Sequence, residues 1–142
     1  MSAALLDTSI YISAFRTGGA APGLRSLEGN VAVWLSAVVL AEMFSGARDR
    51  RTTSSIEELE RDFRKARRLL VPEASDWSIA GKAISRLGAK YDYEAAGRAR
   101  LFNDVLIAVS AGRLGITVVT ENARDFERIR EVTQFEWRET LA

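Results

Sequence analysis

Short apolar runs alternate with helical segments along this chain, and this alternation limits the possible folds more than any other feature. Ala4–Leu6, Val31–Ser36 and Ile116–Thr120 are apolar or β-branched and have the length of strands. Continuous apolar runs of this length are typical of parallel strands that are buried on both faces. Because each run leads into a segment with helical spacing, we predict an α/β fold, a three-layer α/β/α sandwich around a mainly parallel sheet of four to five strands.

The remaining strands and the domain organisation follow from the same pattern. Leu70-Val71 is a short strand or connector, and the last strand is expected over Thr133–Trp137. The chain contains no internal repeat and no linker-like segment, so residues 1–142 are expected to form one domain.

Helix starts are predicted from capping residues. Ser54 and Glu57 match a capping box at the start of one helix, and Asp76 is expected to cap the next. Residues 90–100 are polar and are either a loop or a frayed helix, so the helix that follows is predicted to begin at Asn103-Asp104.

The chain contains neither histidine nor cysteine. Ser-His-Asp catalysis, imidazole-bound zinc, disulfides and thiolate metal sites are therefore excluded. Any bound metal must be a hard cation held by oxygen ligands. No apolar run approaches the ~20 residues that span a bilayer, and the N-terminus does not resemble a signal peptide. We therefore expect a cytoplasmic protein with no membrane partner.

The charges nearly balance, with 20 basic and 19 acidic residues and a net charge of +1. The basic residues nevertheless cluster at Arg48–Arg51, Arg61–Arg68 and Arg98–Arg100. If the acids gather in one pocket, the rest of the surface is more basic than the total suggests, and a phosphate-bearing partner becomes possible. Solvated helix faces are the alternative interpretation, especially for Arg61–Arg68.

Several acidic residues occupy positions where a ligand could bind. Asp7 follows the first strand, and the carboxyl ends of strands are where open α/β sheets bind ligands, although an Asp there can also cap a helix. Glu42 is the only charge between Asn30 and Arg48, so it either faces water or needs a partner. Asp104 is expected at a helix start, where capping is again the alternative.

Taken together, the acidic residues indicate a functional site more strongly than any one of them does. Three or four carboxylates that converge without a His, Cys or Lys partner repel one another strongly at neutral pH. A divalent cation such as Mg²⁺ or Mn²⁺, with acidic ligands, retained waters and phosphate oxygens, would make such a cluster tolerable. The chemistry that follows is phosphodiester hydrolysis.

Four short motifs in this order resemble the PIN-domain family, and within it the VapC-type toxin ribonucleases of toxin–antitoxin modules. The resemblance covers almost the whole chain. The motifs are Leu5-Leu6-Asp7-Thr8-Ser9, then Leu35-Ser36 with Leu40-Ala41-Glu42 and Gly46, then Asn103-Asp104 with Ile107-Ala108, and finally Val119-Thr120-Glu121-Asn122 with Asp125-Phe126.

The resemblance implies a PIN-like fold and an Mg²⁺- or Mn²⁺-dependent endoribonuclease. The family's first three acids correspond to Asp7, Glu42 and Asp104, which are implied to be catalytic residues and metal ligands. Where the family's last motif often has an acid, this chain has Asn122, so Asp125 is the best candidate for the fourth acid.

The resemblance also implies residues that support the acids, and the partners of the protein. Ser9 and Thr120 match hydroxyls that orient carboxylates or bound water, Asn122 is a neutral ligand or a supporting group, and Glu121 is not expected in the site. The implied partners are an RNA substrate, a second copy in a homodimer, and a cognate antitoxin that inserts an Arg or Lys among the acids. A larger toxin–antitoxin complex is also possible.

Two other functions are compatible with parts of the sequence. A non-cleaving PIN-like binding module would act through protein or nucleic-acid contacts, and the missing acid at position 122 is its support. A phosphatase or receiver-like domain using Asp7 as phosphoryl acceptor is disfavoured, because Thr8 and Ser9 follow Asp7 and no Lys occurs after Lys90.

Overall fold

Strands and helices alternate along the part of the chain that the computed structural model describes, residues 1–27 and 29–139. The strands are β1 (Ala3–Leu6), β2 (Ala32–Ser36), β3 (Leu69–Leu70), β4 (Thr117–Thr120) and β5 (Trp137–Glu139). The helices are α1 (Thr8–Arg16), α2 (Ala37–Gly46), α3 (Arg50–Lys65), α4 (Ala74–Tyr91), α5 (Ala95–Arg113) and α6 (Ala123–Arg130).

The five strands form one parallel sheet in the order β3-β2-β1-β4-β5. The central strand is β1, in which Leu5 pairs with Trp34 of β2 on one side and with Val118 of β4 on the other. One core residue from each of these strands, namely Leu5, Val33 and Val118, shows complete burial. The parallel sheet and its strand number confirm the prediction.

The helices cover both faces of this sheet. The chain builds outward from β1 to β3 and then returns to the other side of β1, and right-handed crossovers change face when the direction reverses. Accordingly, α2 contacts α1 and α3, whereas α4, α5 and α6 contact one another. The predicted three-layer α/β/α sandwich is therefore confirmed.

The strand order places a crevice between β1 and β4. These two strands are neighbours, but the chain leaves them in opposite directions across the sheet, and open α/β sheets bind ligands outside the carboxyl ends of strands at such a point. The N–H of Asp7 donates a 2.9 Å hydrogen bond to the carbonyl of Val119, which holds the two strand ends together. The segments that follow both strands therefore lie at the same edge.

The predicted start of the helix at Asn103-Asp104 is wrong, because α5 begins at Ala95. The Ala- and Arg-rich residues 95–100 are mostly good helix formers, and their polarity reflects a largely exposed helix surface rather than a loop. The break from α4 is made by Asp92, which adopts a left-handed conformation with φ of 56°. Asp104 therefore lies inside α5, where it cannot be an N-cap.

Two predicted caps are also displaced. Helix α3 begins at Arg50, and the side chain of Asp49 accepts a 2.7 Å hydrogen bond from the N–H of Thr52, so Ser54 does not start this helix. Helix α4 is capped by Glu73, and Asp76 completes a capping box by accepting from the N–H of Glu73 at 2.8 Å. Both errors arise because charged residues start these helices before the apolar periodicity becomes visible.

The two short strands are shifted relative to the prediction. β3 is Leu69–Leu70 rather than Leu70-Val71, and β5 starts at Trp137, where the predicted strand was to end. β5 is an edge strand with two exposed residues, so it lacks the continuous apolar run that marks a buried strand. Within the described residues, none of the helices is long and apolar enough to cross a bilayer.

Candidate active site

Asp7 is the first residue after β1, and one of its carboxylate oxygens has no hydrogen-bond partner among the described residues. Its side chain makes no capping hydrogen bond to α1, although its backbone stands at the N-cap position. Instead, Oδ2 accepts hydrogen bonds from Thr120 Oγ1 at 2.8 Å and from Ser9 Oγ at 3.1 Å. The residue is 3% exposed, and Oδ1 is buried with no hydrogen-bond partner in the described part of the chain. The ligand interpretation of Asp7 is therefore favoured over capping.

Backbone N–H groups fix the direction in which the two hydroxyls donate. The N–H of Glu121 donates to Ser9 Oγ at 3.1 Å, and the N–H of Asn122 donates to Thr120 Oγ1 at 2.9 Å. Each hydroxyl accepts from the backbone and has one proton left, which it gives to Asp7. The structure thus places Ser9 and Thr120 where the sequence predicted carboxylate-orienting hydroxyls.

Glu42 lies on α2 and is half-buried. Its Oε1 accepts a 2.7 Å hydrogen bond from Thr8 Oγ1, so the hydroxyl of Thr8 holds a neighbouring acid instead of capping α1. Burial and the nearby charge of Asp7 raise the pKa of Glu42, while the hydrogen bond from Thr8 opposes this rise. Glu42 is therefore close enough to Asp7 to feel its charge, and it does not face only water.

Asp104 lies close to all three other acids. Burial, together with the negative charges of Asp7, Glu42 and Asp125, raises the pKa of Asp104 to about 8, and the charge of Arg100 only partly offsets this rise. Burial also raises the pKa of Asp7. Without a bound cation, the ionisation of all these acids at neutral pH costs substantial free energy.

Asp125 lies in the first turn of α6 and is buried, with 8% of the residue exposed. Its Oδ2 accepts from Asn122 Nδ2 at 2.8 Å and from Arg100 Nη1 at 3.1 Å. Asn122 therefore holds Asp125 in place with its amide group, and the guanidinium of Arg100 neutralises the carboxylate.

Among the described residues, the side chain of Glu121 is bonded to Ser13 and not to the four acids. It is exposed, and its carboxylate accepts a 2.6 Å hydrogen bond from Ser13 Oγ on α1. That Glu121 lies outside the site stays a prediction.

A cleft of about 370 Å³ opens beside Glu42 and runs between α1 and the α2–α3 connection. Its walls are mainly apolar, with Ile12, Phe15 and Met43, and Arg16 and Arg48 lie along it. Glu42 is therefore reachable from this groove, in which the charges of Arg16 and Arg48 are balanced by those of Glu42 and Asp49.

The donor set fits a hard divalent cation. The described residues contain no group of three or more acids already close enough together to hold a metal ion. Mg²⁺ commonly uses only one or two carboxylates and keeps several waters, so a site with spaced carboxylates remains suitable. The buried, unpartnered Oδ1 of Asp7 and the mutual repulsion around Asp104 are the features that a cation would relieve.

The sequence did not single out two residues that contact the site. In the sequence, Thr8 is interpreted as the cap of the helix after Asp7, and Arg100 only as a member of a basic cluster. The signal for Arg100 is its spacing, four residues before Asp104, which places both side chains on one face of a helix. That signal was hidden because residues 90–100 were not predicted to be a firm helix.

Comparisons with known proteins agree with this geometry. A family model described as PIN domain matches residues 4–132. No curated protein matches the chain. The fold is shared with solved structures of low sequence identity. VapBC2 from Rickettsia felis, bound to a DNA fragment from its promoter, has a TM-score of 0.69 at 20% identity, covering 98% of this chain and 99% of the other.

Two further structures have the same fold. DNA-bound VapBC from Salmonella typhimurium has a TM-score of 0.67 at 22% identity, with 98% of each chain covered. VapBC-5 from Mycobacterium tuberculosis, a member of a family of toxin–antitoxin systems, has a TM-score of 0.60 at 20% identity, covering 99% of this chain and 100% of the other. The family match over residues 4–132, the parallel sheet and the acids at its carboxyl edge lead to one conclusion: the chain belongs to the PIN domain family.

Proposed function

We propose that this chain is a single PIN-type nuclease domain that hydrolyses RNA phosphodiester bonds with Mg²⁺ or Mn²⁺. We further propose that it is the toxin of a toxin–antitoxin module and is neutralised by a cognate antitoxin. Asp7, Glu42, Asp104 and Asp125 are the proposed catalytic and metal-binding residues. Ser9, Thr120 and Asn122 support them.

One observation carries this proposal. Asp7 Oδ1 is a buried carboxylate oxygen without a hydrogen-bond partner in the described residues, and Asp7 is one of the acids that, together with burial, raise the pKa of Asp104 to about 8. An unsatisfied buried oxygen costs free energy, so its retention points to a ligand that is bound during function. A hard cation is the ligand that suits an oxygen-only site.

The protein's own side chains would orient the site. Thr120 and Ser9 hold Oδ2 of Asp7 so that Oδ1 is directed away from them, and Thr8 holds Glu42 in the same manner. Asp104 joins from the middle of α5. A divalent cation bound by these acids would supply positive charge beside the scissile phosphate and a polarised water.

The toxin assignment is supported by the solved neighbours. VapBC complexes share the fold over almost the whole chain, and one of them is described as a toxin–antitoxin system. By analogy with the family, we propose a homodimer whose acids are covered by an Arg or Lys of the antitoxin. The Arg100–Asp125 pair supports this mode of neutralisation, because it demonstrates that a guanidinium can reach one of these carboxylates.

The test is RNA cleavage by purified protein with Mn²⁺, compared with Asp7→Asn and Asp104→Asn. Both substitutions preserve shape and hydrogen bonding but remove a charge, so we expect loss of cleavage by at least about 100-fold. Glu121→Gln is the matched control, because Glu121 is an acid at the same sheet edge that is bonded to Ser13. Cleavage that survives in both Asp variants would refute the assignment.

The alternative, a binding module that does not cleave, is separated by metal titration. Calorimetry with Mn²⁺ should show binding by the native chain and weaker binding by Asp7→Asn. If millimolar Mn²⁺ does not bind, the non-cleaving module is the better description. Expression of the chain alone should arrest growth, and co-expression with its antitoxin should restore it.

A further inference from the structure

We infer that Arg100 is an internal counter-ion of the acidic site, which leaves Asp125 and binds a phosphate of the RNA when the cation and substrate are in place. This inference rests on the proposed ribonuclease function and adds to it a substrate-binding residue outside the four acids. The surroundings of Arg100 support it in three ways.

The first support is the position of Arg100. It lies on α5 one turn before Asp104, and its Nη1 is 3.1 Å from Asp125 Oδ2. Among the described residues, no other Lys or Arg forms an ion pair with any of the four acids. Arg100 is therefore the positive group best placed to meet a phosphate that enters this site.

The second support is that the two partners of the ion pair differ in exposure and are joined by a single hydrogen bond. The side chain of Arg100 is 61% exposed, whereas that of Asp125 is 11% exposed. The structure shows a single hydrogen bond from this guanidinium to the described residues, made by Nη1. Exposed ion pairs contribute little stability, and the remaining N–H groups match the geometry of a phosphate. Moving the guanidinium of Arg100 from Asp125 to a phosphate therefore costs little free energy.

The third support is that Asp125 does not need Arg100 in order to stay in place. Asn122 Nδ2 donates to the same Oδ2 at 2.8 Å, and Asp125 itself is fixed in the first turn of α6. If Arg100 served only to position Asp125, this second donor would make it redundant. Its remaining effect is electrostatic: it competes with a cation for Asp125, and it offsets the repulsion between the acids and RNA.

The first experiment measures Mn²⁺ binding by calorimetry in the absence of RNA. Arg100→Met removes the competing charge and should tighten Mn²⁺ binding by about 2- to 5-fold, the range expected for loss of an exposed ion pair. Arg100→Lys should stay close to the native value. On an Asp125→Asn background the effect of Arg100→Met should vanish. Unchanged or weaker Mn²⁺ binding by Arg100→Met would overturn the inference.

The second experiment measures binding of a single-stranded RNA oligonucleotide as a function of salt. It uses a Glu42→Gln background to slow cleavage while leaving Asp7, Asp104 and Asp125 intact. In Mn²⁺, Arg100→Met should reduce the slope of log K against log salt by about 0.7, which corresponds to one lost phosphate contact. In EDTA the reduction should be smaller, because Asp125 then holds the guanidinium.

Arg98→Met is the matched control, since it removes the same charge from the same helix. Arg98 is exposed and donates to the carbonyl of Tyr93, away from the four acids. Its substitution should affect RNA binding equally in Mn²⁺ and in EDTA. If Arg100→Met behaves like Arg98→Met while the native protein binds Mn²⁺ and cleaves RNA, this inference alone fails. If the native protein does neither, the proposed function fails with it.

Discussion

The hydroxyl of Thr120 donates a 2.8 Å hydrogen bond to Oδ2 of Asp7, and these residues are 113 positions apart in the chain. The bond joins the carboxyl ends of β4 and β1, two neighbouring strands from which the chain continues toward opposite edges of the sheet. It also decides which oxygen of Asp7 is left without a partner among the residues that the structure describes.

Thr120→Val should therefore weaken Mn²⁺ binding by about 10- to 100-fold, the usual effect of losing a group that orients a metal ligand. The substitution preserves shape but removes the hydroxyl, so Asp7 loses its closer hydrogen bond and the N–H of Asn122 loses its acceptor. Thr120→Ser keeps the hydroxyl and should bind Mn²⁺ nearly as well as the native chain. Calorimetry on the three proteins tests this, and equal affinities would contradict it.

Asp104→Asn should stabilise the metal-free protein at alkaline pH. The pKa of Asp104 is raised from 3.8 to about 8 by burial and by Asp7, Glu42 and Asp125, with Arg100 opposing. Between these two values the unfolded chain binds fewer protons than the folded one, so native stability falls as pH rises through this window.

The stabilisation at pH 8 should be about 2 to 5 kcal/mol, since each pKa unit corresponds to about 1.4 kcal/mol and the site can relax. Near pH 4 the difference should disappear. Urea denaturation in EDTA at both pH values provides the measurement. A variant that is less stable than the native chain at pH 8 would refute this explanation of the raised pKa.

Asp76 forms a structural ion pair that is independent of the acidic site. It is fully buried on α4 and accepts from Arg113 Nε at 3.0 Å and Nη2 at 2.9 Å, which connects α4 to α5. Although burial acts to raise the pKa of Asp76, the bonds from Arg113 and from the N–H of Glu73 keep it below 3.8.

Asp76→Asn should lower the free energy of unfolding at pH 7 by about 2 to 3 kcal/mol, because it leaves the charge of Arg113 without its main partner. Because the folded pKa is depressed, the stabilisation is present above pH 3.8 and is lost as pH falls through the folded value. Urea denaturation of both proteins at pH 7 and in strong acid should show this difference shrinking in acid. RNA cleavage at low temperature should be unaffected.

Two helical glycines should respond in opposite directions to alanine substitution. At Gly112 of α5 an added Cβ would collide with the carbonyl oxygen of Gln134 and lie 3.1 Å from Cβ of Phe135, so the helix and the segment before β5 must separate. At Gly81 of α4 nothing lies within 4 Å of an added Cβ.

Gly112→Ala should therefore destabilise the fold by about 1 to 3 kcal/mol. Gly81→Ala should stabilise it by about 0.5 to 1 kcal/mol through helix propensity. Thermal unfolding of the two variants gives the comparison, and a stabilised Gly112→Ala would show that the contact with Gln134 is not tight.

The elements of the fold that were predicted correctly are those with a clear pattern within their own segment of sequence. The strand at Ala4–Leu6 and the helix after Asp7 agree with the structure, because apolar runs and helical spacing report burial directly. The start of α5 was missed because residues 95–100 are mostly exposed, and an exposed helix surface has the same composition as a polar loop. The last strand was predicted at the wrong residues because β5 is an edge strand that buries few side chains, so it has no continuous apolar run.

By itself, the sequence determined the chemistry that is available: an oxygen-only site built from acids and hydroxyls, in a chain without His or Cys, within an α/β sandwich. The tertiary structure decided which acids meet. Strand order placed Asp7 beside Thr120, and the long α5 carried both Asp104 and Arg100 to the same edge. These pairings join residues that are far apart in the chain. They depend on the order in which strands pair, and periodicity within a segment contains no information about that order.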